Sequence, residues 1–211
     1  MSRLIQSINY SITSNCDRMC PHCCMNLLEK EPWEASWDYI VDSAKYFKGI
    51  RRIHLTGGEP TLHSQFCEIV PKLKKLFQCG ILTLESNGWG FQKFPEIFKE
   101  FDVIQVSHYM KNSYIGSWDN TDDVEFIKSF LKETNTIVLV GDIIHIDRNV
   151  RNNGLICDRG TSETVAYYDS KLFPCCVGPG LKDSPSITLS DKWEKEIRDI
   201  DIPCNTCWFS L

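Results

Sequence analysis

A chain of 211 residues is long enough for one large domain, or for a domain with a small appendix, and its apolar share of 42% suits a globular core. The formal net charge of −5 gives no basic footprint of the kind found in nucleic-acid binders, so polynucleotide substrates rank low. The N-terminus lacks a secretory apolar core and cleavage site, and no later apolar run is long enough to cross a bilayer. We therefore expect a cytoplasmic protein without membrane contact.

The first half of the chain alternates between strand and helix patterns. A strand from Leu4 to Ile12 has apolar residues on a two-residue period, and an amphipathic helix follows over 36–49. The next predicted elements are a strand at 50–56, a helix at 64–79 and a strand at 81–86. Pro71 lies within the second helix, so that helix either kinks or begins later.

The alternation continues through the middle of the chain. The predicted elements are a short helix at 95–101, a strand at 103–107, a polar and aromatic loop at 108–121, a helix capped by Asp122 or Asp123, a strand at 136–140 and a possible sixth strand at 143–146. Strands that alternate with helices predict an α/β fold with a parallel sheet covered by helices. Six such units fit a curved, partial barrel, in which ligands lie at the carboxyl ends of the strands.

A polar stretch at 148–154 predicts a connection between two parts, 1–150 and 151–211. Beyond it we expect a small α+β unit, with a hairpin over 163–175 whose tip is Asp169-Ser170. A helix follows over 191–199, with Asp191 and Glu194 as a capping box and with Trp193 and Ile197 on its buried side. A unit this short buries little core, so it usually needs a metal to stabilise it.

The 11 cysteines indicate metal or cluster ligation, because the cytoplasm keeps thiols reduced and disfavours disulfides. Two of them, Cys67 and Cys79, stand apart and are typical of small buried side chains. The others form an N-terminal group at 16–24 and a C-terminal group at 157–207.

The N-terminal group has the spacing Cys16-x3-Cys20-x2-Cys23 on a single loop after the first strand. Three thiolates of this kind would hold three irons of a [4Fe-4S] cluster and leave the fourth iron open for a substrate or cofactor. The spacing alone also allows a structural zinc site. Cys24 lies just outside the pattern and is better explained as a buried thiol.

After one helix and one strand the chain reads Leu55-Thr56-Gly57-Gly58-Glu59-Pro60. With both motifs in order, the sequence resembles the radical S-adenosylmethionine (radical SAM) superfamily, whose members pair this cysteine spacing with a Gly-Gly-Glu-Pro strand end. The resemblance implies a partial (β/α)6 TIM-like barrel, with the cysteines ligating a catalytic [4Fe-4S] cluster. It also implies that S-adenosylmethionine chelates the open iron and is cleaved reductively to a 5′-deoxyadenosyl radical. The electron would come from a flavodoxin- or ferredoxin-type donor.

The resemblance implies further cofactor contacts. His22 would pack against the adenine, while the carbonyls of Gly57 and Gly58, together with Glu59, would accept hydrogen bonds from the methionine ammonium group. Glycines would let the backbone approach the cofactor closely. Asn87 and Ser107 stand where the superfamily has polar ends of the third and fourth strands. A glycine pair or an Asn-Gly step alone would be an ordinary turn.

The C-terminal cysteines resemble a Twitch domain, the short form of the SPASM domain, although Ser170 stands where glycine is usual. The resemblance implies an auxiliary [4Fe-4S] cluster that takes up an electron from the substrate. Its ligands would be Cys157, Cys175, Cys204 and Cys207, with Cys176 as the alternative to Cys175. A tetrahedral zinc site is the open alternative.

Residues that hold the substrate are harder to predict. Asp142 and His145 follow the fifth strand and are weak candidates for substrate contact or proton transfer, and exposed or salt-bridged roles fit them as well. The expected activity is radical oxidation or cross-linking of a peptide or a small molecule. Alternatives are a sugar or aminocyclitol alcohol dehydrogenase and, in another class, a non-catalytic zinc or iron-sulfur module. The Gly-Gly-Glu-Pro segment argues against the module, since zinc needs no such loop.

Overall fold

The structure is a computed structural model that describes residues 5–18, 20, 23, 31–109, 119–142, 164–174, 184 and 186–200. Within these ranges the chain forms an α/β fold around one mixed sheet. No helix in the described part is long and apolar enough to cross a membrane.

The sheet has eight strands. They are β1 (Ser7–Thr13), β2 (Arg52–Gly57), β3 (Ile81–Ser86), β4 (Val103–His108), β5 (Ile137–Asp142), β6 (Thr164–Tyr168), β7 (Lys171–Phe173) and β8 (Ile187–Thr188). Their order is β5-β4-β3-β2-β1-β6-β7-β8, with all pairs from β5 to β6 parallel and the last two pairs antiparallel. The parallel strands therefore direct their carboxyl ends to a common edge.

The helices are α1 (Trp37–Phe47), α2 (Phe66–Phe77), α3 (Thr121–Phe130) and α4 (Trp193–Arg198), with 3-10 helices at Pro60–Leu62 and Pro95–Glu100. Ser36 caps α1, since its hydroxyl oxygen accepts a hydrogen bond from the Tyr39 amide. Helix α2 begins at Phe66, later than predicted, and Pro71 lies inside it. That proline removes the amide that would have bonded to the Cys67 carbonyl.

Two predicted helix caps are wrong. Helix α3 has Asn120 at its N-cap position, and Asp122 and Asp123 lie in its first turn instead. Helix α4 has no capping box, because its N-cap residue is Lys192 and no side chain caps it. The Ser190 hydroxyl bonds to Glu196 instead.

The core lies between the helices and one face of the sheet. Along β1 the fully buried side chains are Ile8, Tyr10 and Ile12, and register partners of the same kind stand on the neighbouring strands, such as Ile53 beside Ile8 and Leu55 beside Tyr10. Phe47 from α1 and Phe77 from α2 meet Tyr10 edge-on, with ring centroids 6.2 and 5.1 Å away. The two-residue period of each strand thus sends its apolar residues to the helices.

The C-terminal hairpin forms as predicted, with Asp169 and Ser170 at the tip. Both tip residues have positive φ angles, 46° and 62°, which explains why glycine suits the Ser170 position in similar sequences. Strand β6 pairs in parallel with β1, so the hairpin continues the main sheet. The division into domains at about residue 150 stays a prediction, and the possible sixth strand at 143–146 lies outside the described residues.

Candidate active site

The cysteine loop and the glycine-rich loop leave adjacent strands at the carboxyl edge of the sheet. Strand β1 has an irregular register between Ser11 and Thr13, so that Thr13 pairs with Gly57 at the end of β2. Irregularities of this kind turn a strand end and are frequent beside active sites. The sequence-predicted motifs are therefore neighbours in space.

The two loops are bonded to each other through their backbones. The Gly58 amide donates to the Thr13 carbonyl at 2.8 Å, and the Glu59 amide donates to the Asn15 carbonyl at 2.7 Å. A Cβ on Gly57 or Gly58 would collide with these same backbone segments, and Gly57 has a φ of 147°. Close approach to a cofactor is therefore only part of the reason for the glycines, because the backbone at the stem of the cysteine loop already requires them.

Glu59 lies beneath this junction with 1% of its surface exposed. Its carboxylate accepts four hydrogen bonds, from the Thr61 amide and hydroxyl, the Ser86 hydroxyl and the Asn87 amide. Burial raises the pKa of this carboxyl, and the donated hydrogen bonds act in the opposite direction. Its side chain joins the end of β2 to the end of β3, so a contact between this carboxylate and the cofactor stays a prediction.

Asn87 connects the same junction to the cysteine loop. Its side-chain amide donates to Asp17 at 2.7 Å, and its side-chain oxygen accepts from the Trp89 amide at 3.0 Å. Asp17 also forms an ion pair with Arg18 at 3.1 Å. Both polar atoms of the Asn87 side chain therefore have protein partners, and cofactor contact by Asn87 remains a prediction.

Asn120 is a buried residue of this edge that the sequence analysis missed. Its side-chain amide donates to the carbonyls of Asn87 and Ser107, and its side-chain oxygen accepts from the Tyr109 amide. One side chain thus ties the end of β3 to the end of β4. The available signal was an asparagine just before a helix, which local reasoning assigns to capping alone.

The three N-terminal cysteines are free thiols of intermediate exposure. The Arg18 amide donates to the Cys16 sulfur at 3.4 Å, and the Tyr109 hydroxyl lies 3.4 Å from the Cys20 sulfur. Burial raises the pKa of the Cys16 thiol to about 12 and raises that of Cys20 as well. Thiolates are the ligating form, so cluster binding here would release protons.

The chemistry of this donor set suits an iron-sulfur cluster. Three thiols occur on one loop, and a backbone amide and a phenol are already directed at two of the sulfurs. No group of three His, Cys, Asp or Glu side chains among the described residues is arranged around a single metal ion. A cubane distributes its ligands over different irons, so Cys16, Cys20 and Cys23 would hold it without meeting at one point.

The remaining predicted site residues divide into two groups. Ser107 lies at the end of β4, opposite Gly141 in register, and Asp142 ends β5 opposite His108, although only its backbone is described. The others lie outside the described residues: His22, His145, Cys157, Cys175, Cys176, Cys204 and Cys207. Their predicted roles stay predictions.

A family model of the radical SAM superfamily matches residues 10–139, which include both motifs, the whole of β2 to β4 and parts of β1 and β5. The chain therefore belongs to the radical SAM superfamily and is an enzyme. Membership implies S-adenosylmethionine and a [4Fe-4S] cluster as cofactors.

Curated relatives with described activities match part of the chain. An S-adenosylmethionine-dependent nucleotide dehydratase from Selenomonas ruminantium is 29% identical over 172 residues, covering 78% of this chain and 61% of that protein. A probable GTP 3′,8-cyclase from Archaeoglobus fulgidus is 26% identical over 107 residues, covering 50% of this chain and 35% of that protein. The chain thus spans between about a third and three fifths of the length of these relatives.

Solved structures with a similar fold align with most of the chain. BtrN in complex with AdoMet and 2-DOIA gives a TM-score of 0.61 at 14% identity, covering 95% of this chain and 85% of that one. SuiB from Streptococcus suis, bound to its precursor peptide SuiA, gives 0.65 at 13% identity, covering 98% and 70%. These likenesses support the fold.

Proposed function

We propose that this enzyme uses the carboxyl edge of its sheet to bind and reductively cleave S-adenosylmethionine, and that it then removes a hydrogen atom from a polar small molecule. The observation that carries the proposal is the junction between the cysteine loop and the glycine pair. The amides of Gly58 and Glu59 bond to the backbone of 13–15, so a change in one motif must move the other. A metal site alone has no need of such a junction.

The roles of the chain's own residues follow from their positions. Cys16, Cys20 and Cys23 would hold the cluster, which when bound supplies the electron for cleavage and an open iron for the cofactor. Glu59 and Asn87 hold the ends of β2 and β3 at fixed positions beside that loop. Preorganised groups of this kind keep a bound cofactor oriented and exclude water from reactive species.

The substrate proposal rests on the relatives. The two curated relatives described above are named for reactions of GTP and of a nucleotide, which favours a nucleotide-like small molecule. The reaction that we propose is an oxidation, with a sugar or aminocyclitol alcohol dehydrogenase as the nearest variant. A flavodoxin- or ferredoxin-type protein would supply the first electron.

An auxiliary cluster in the C-terminal part belongs to the same proposal. Ala166 pairs with Phe173 in the hairpin, so β6 starts and β7 finishes at the same edge of the sheet. In the sequence, Cys157 lies seven residues before Thr164 at the start of β6, and Cys175 lies two residues after Phe173 at the end of β7. This arrangement supports a shared site for the two cysteines, with Cys204 and Cys207 as further ligands. The cluster bound there would accept an electron from the substrate.

The test is anaerobic reconstitution with iron and sulfide, followed by dithionite and S-adenosylmethionine. We expect about eight irons per chain if two cubanes form, and release of 5′-deoxyadenosine and methionine. Zinc without sulfide, or no 5′-deoxyadenosine from a protein that has bound its iron, would overturn the proposal. Cys20→Ala is the matched variant and should lose both cleavage and part of the iron.

A peptide substrate is the second candidate, because SuiB bound to its precursor peptide shares this fold. Radical cross-linking or oxidation of a peptide side chain would be the reaction. Deuterium transfer separates the two candidates, since 5′-deoxyadenosine gains deuterium only from the true, labelled substrate. Label from a deuterated peptide and none from deuterated nucleotides would favour this candidate.

A further inference from the structure

The face of the sheet opposite the core helices is polar at its centre. In the central part of β1 to β4, the buried apolar residues that face the helices alternate with polar residues that face away from them. The register places Asn9 beside His54 and His54 beside Thr83, and it places Glu85 beside Gln105. Polar side chains from four adjacent parallel strands therefore share one surface.

This alternation is unusual for parallel strands. Parallel sheets are normally covered on both faces, and their strands then have continuous apolar sequences. Here the helix-facing residues Ile53, Leu82 and Ile104 are fully buried, whereas Gln105 is exposed on the other face. A polar face in this position offers hydrogen-bonding groups to a ligand.

His54 and Glu85 form a hydrogen bond in the middle of this face. The His54 Nδ1 atom lies 3.1 Å from Glu85 Oε1, and the side chains are 15% and 34% exposed. In the neutral ring with Nδ1 donating to the carboxylate, Nε2 is an acceptor, and none of the described residues bonds to it. Gly57 lies three positions after His54, about 10 Å further along the strand, so a ligand at the carboxyl edge would reach this pair.

Thr83 provides an independent indication of a missing partner. It is 1% exposed, and its hydroxyl has no hydrogen-bond partner among the residues that the structure describes. It stands next to His54 in register, on the same face. A buried hydroxyl without a partner is unfavourable, so a ligand that bonds to it would remove that penalty.

We infer that His54, Glu85 and Thr83 form the substrate-binding centre of the enzyme and recognise a vicinal pair of hydroxyl groups. The inference rests on the proposed function, because it places the substrate beside the carboxyl edge, where S-adenosylmethionine is proposed to bind. A ribose of a nucleotide and a cyclitol ring both carry this chemistry. Side chains that both donate and accept hydrogen bonds suit hydroxyl groups better than they suit an apolar ligand.

The experiment measures binding by anaerobic calorimetry to the reconstituted full chain with S-adenosylmethionine. The probes are GTP, CTP and myo-inositol, so the nucleotide and cyclitol arms are distinguished. We expect at least one probe to bind to the wild-type protein. His54→Gln, Glu85→Gln and Thr83→Val should each weaken that binding about tenfold or more.

Thr83→Val separates recognition from folding. Removing a hydroxyl that has no partner should leave the melting temperature unchanged or raise it, while probe binding falls. Glu96→Gln is the charge-matched control, since Glu96 is exposed and pairs only with Lys99 in the described structure. It should leave probe binding unchanged.

The outcomes distinguish the two proposals. Formation of 5′-deoxyadenosine by the wild-type protein without any probe tests the proposed function by itself, and Glu96→Gln should leave that activity unchanged. If cleavage occurs and no probe binds, or if Thr83→Val binds its probe normally, the inference is overturned and the proposed function stands. Absence of cleavage in the wild-type protein would instead overturn the proposed function.

Discussion

Two regions of the molecule are stabilised in different ways. One is the carboxyl edge, where β1 to β4 end; the other is the side of the sheet that carries β6, β7, β8 and helix α4, called the C-terminal edge below. At the carboxyl edge, loops are joined by directional hydrogen bonds around buried polar groups, of which Glu59 and Asn120 are the centres. At the C-terminal edge, Trp193 packs its ring against Phe47 with centroids 5.4 Å apart, and Tyr39 stacks on Tyr167. The hydrogen bonds at the carboxyl edge fix the positions of the loop atoms, whereas the aromatic contacts at the C-terminal edge bury apolar surface.

This difference predicts different responses to substitution. A hydrogen bond weakens steeply when its donor or acceptor moves out of position. The stabilisation from aromatic packing instead falls in proportion to the apolar area that is no longer buried. Changes at the carboxyl edge should therefore abolish function in a folded protein. Changes at the C-terminal edge should lower stability and leave the cysteine loop intact.

Gly58→Ala is expected to have the largest effect. The new Cβ collides with the backbone of Asn15, so the two loops cannot remain bonded as they are. We expect S-adenosylmethionine cleavage to fall by about 100-fold or more, since small displacements at a catalytic site have effects of this order. Iron content and 5′-deoxyadenosine yield are the measurements. Gly80→Ala, in a turn with more space, should retain both, and equal losses in the two variants would contradict the role given to the loop junction.

Trp193→Ala tests the C-terminal edge. The indole is 5% exposed and also donates from Nε1 to the Tyr46 carbonyl. Its removal should destabilise the protein by about 3–5 kcal/mol, measured by urea unfolding. Below the melting transition the iron held by the N-terminal cysteines should be unchanged. Lys195→Ala, exposed on the same helix, is the control, and loss of that iron in a folded Trp193→Ala protein would show that the two edges are coupled.

Glu59→Gln tests the buried carboxylate. An amide in place of one carboxylate oxygen presents hydrogens to donors such as the Asn87 amide, so at least one bond is lost. We expect a loss of about 1–3 kcal/mol in the free energy of unfolding. Cleavage of S-adenosylmethionine should fall as well, because the ends of β2 and β3 separate. Glu96→Gln is the exposed control. An equally small effect in both variants would contradict the role of Glu59 in holding the ends of β2 and β3 together.

Glu59 also predicts a pH dependence. Burial raises the pKa of its carboxyl in the folded state, whereas the unfolded value is about 4.3. Above the unfolded pKa the folded state then binds more protons than the unfolded state, so the free energy of unfolding falls as the pH rises through that window. Urea unfolding of wild-type protein and Glu59→Gln from acid to neutral pH measures the difference. A wild-type curve parallel to that of the variant would contradict the raised pKa.

Ser36→Ala should have the smallest effect, because it removes a single exposed capping hydrogen bond. The lost hydrogen bond is the one from the Tyr39 amide at the start of α1. The expected destabilisation is about 1 kcal/mol in urea unfolding, with cleavage unchanged. Ser129→Ala, exposed within α3, is the control and should be neutral. A larger loss of cleavage than of stability would mean that α1 acts on the site.

Much of the fold could be predicted from periodicity. The bounds of β3 agree with the predicted range, and β1, β2, β4 and β5 differ from theirs by a few residues. Apolar alternation marks strands and apolar residues at helical spacing mark helices, so both signals are local in the chain. Helix caps were predicted less well, since neighbouring polar residues such as Asn120 and Asp122 compete for the same position.

The site was predicted in part. The cysteine and glycine motifs identified the correct edge of the sheet, because their spacing carries the chemistry. Asn120, His54 and Thr83 were missed, since each is an ordinary residue until the register places it beside particular partners.

The sequence by itself determined the superfamily, the strand and helix pattern and the thiols that would hold the cluster, since each depends on residue type and spacing along the chain. Only the tertiary structure decided why two glycines are needed, where the Glu59 carboxylate is bonded and which polar residues share the face of the sheet opposite the helices. Those properties depend on contacts between residues far apart in the chain, and side-chain pairing across strands is fixed by register.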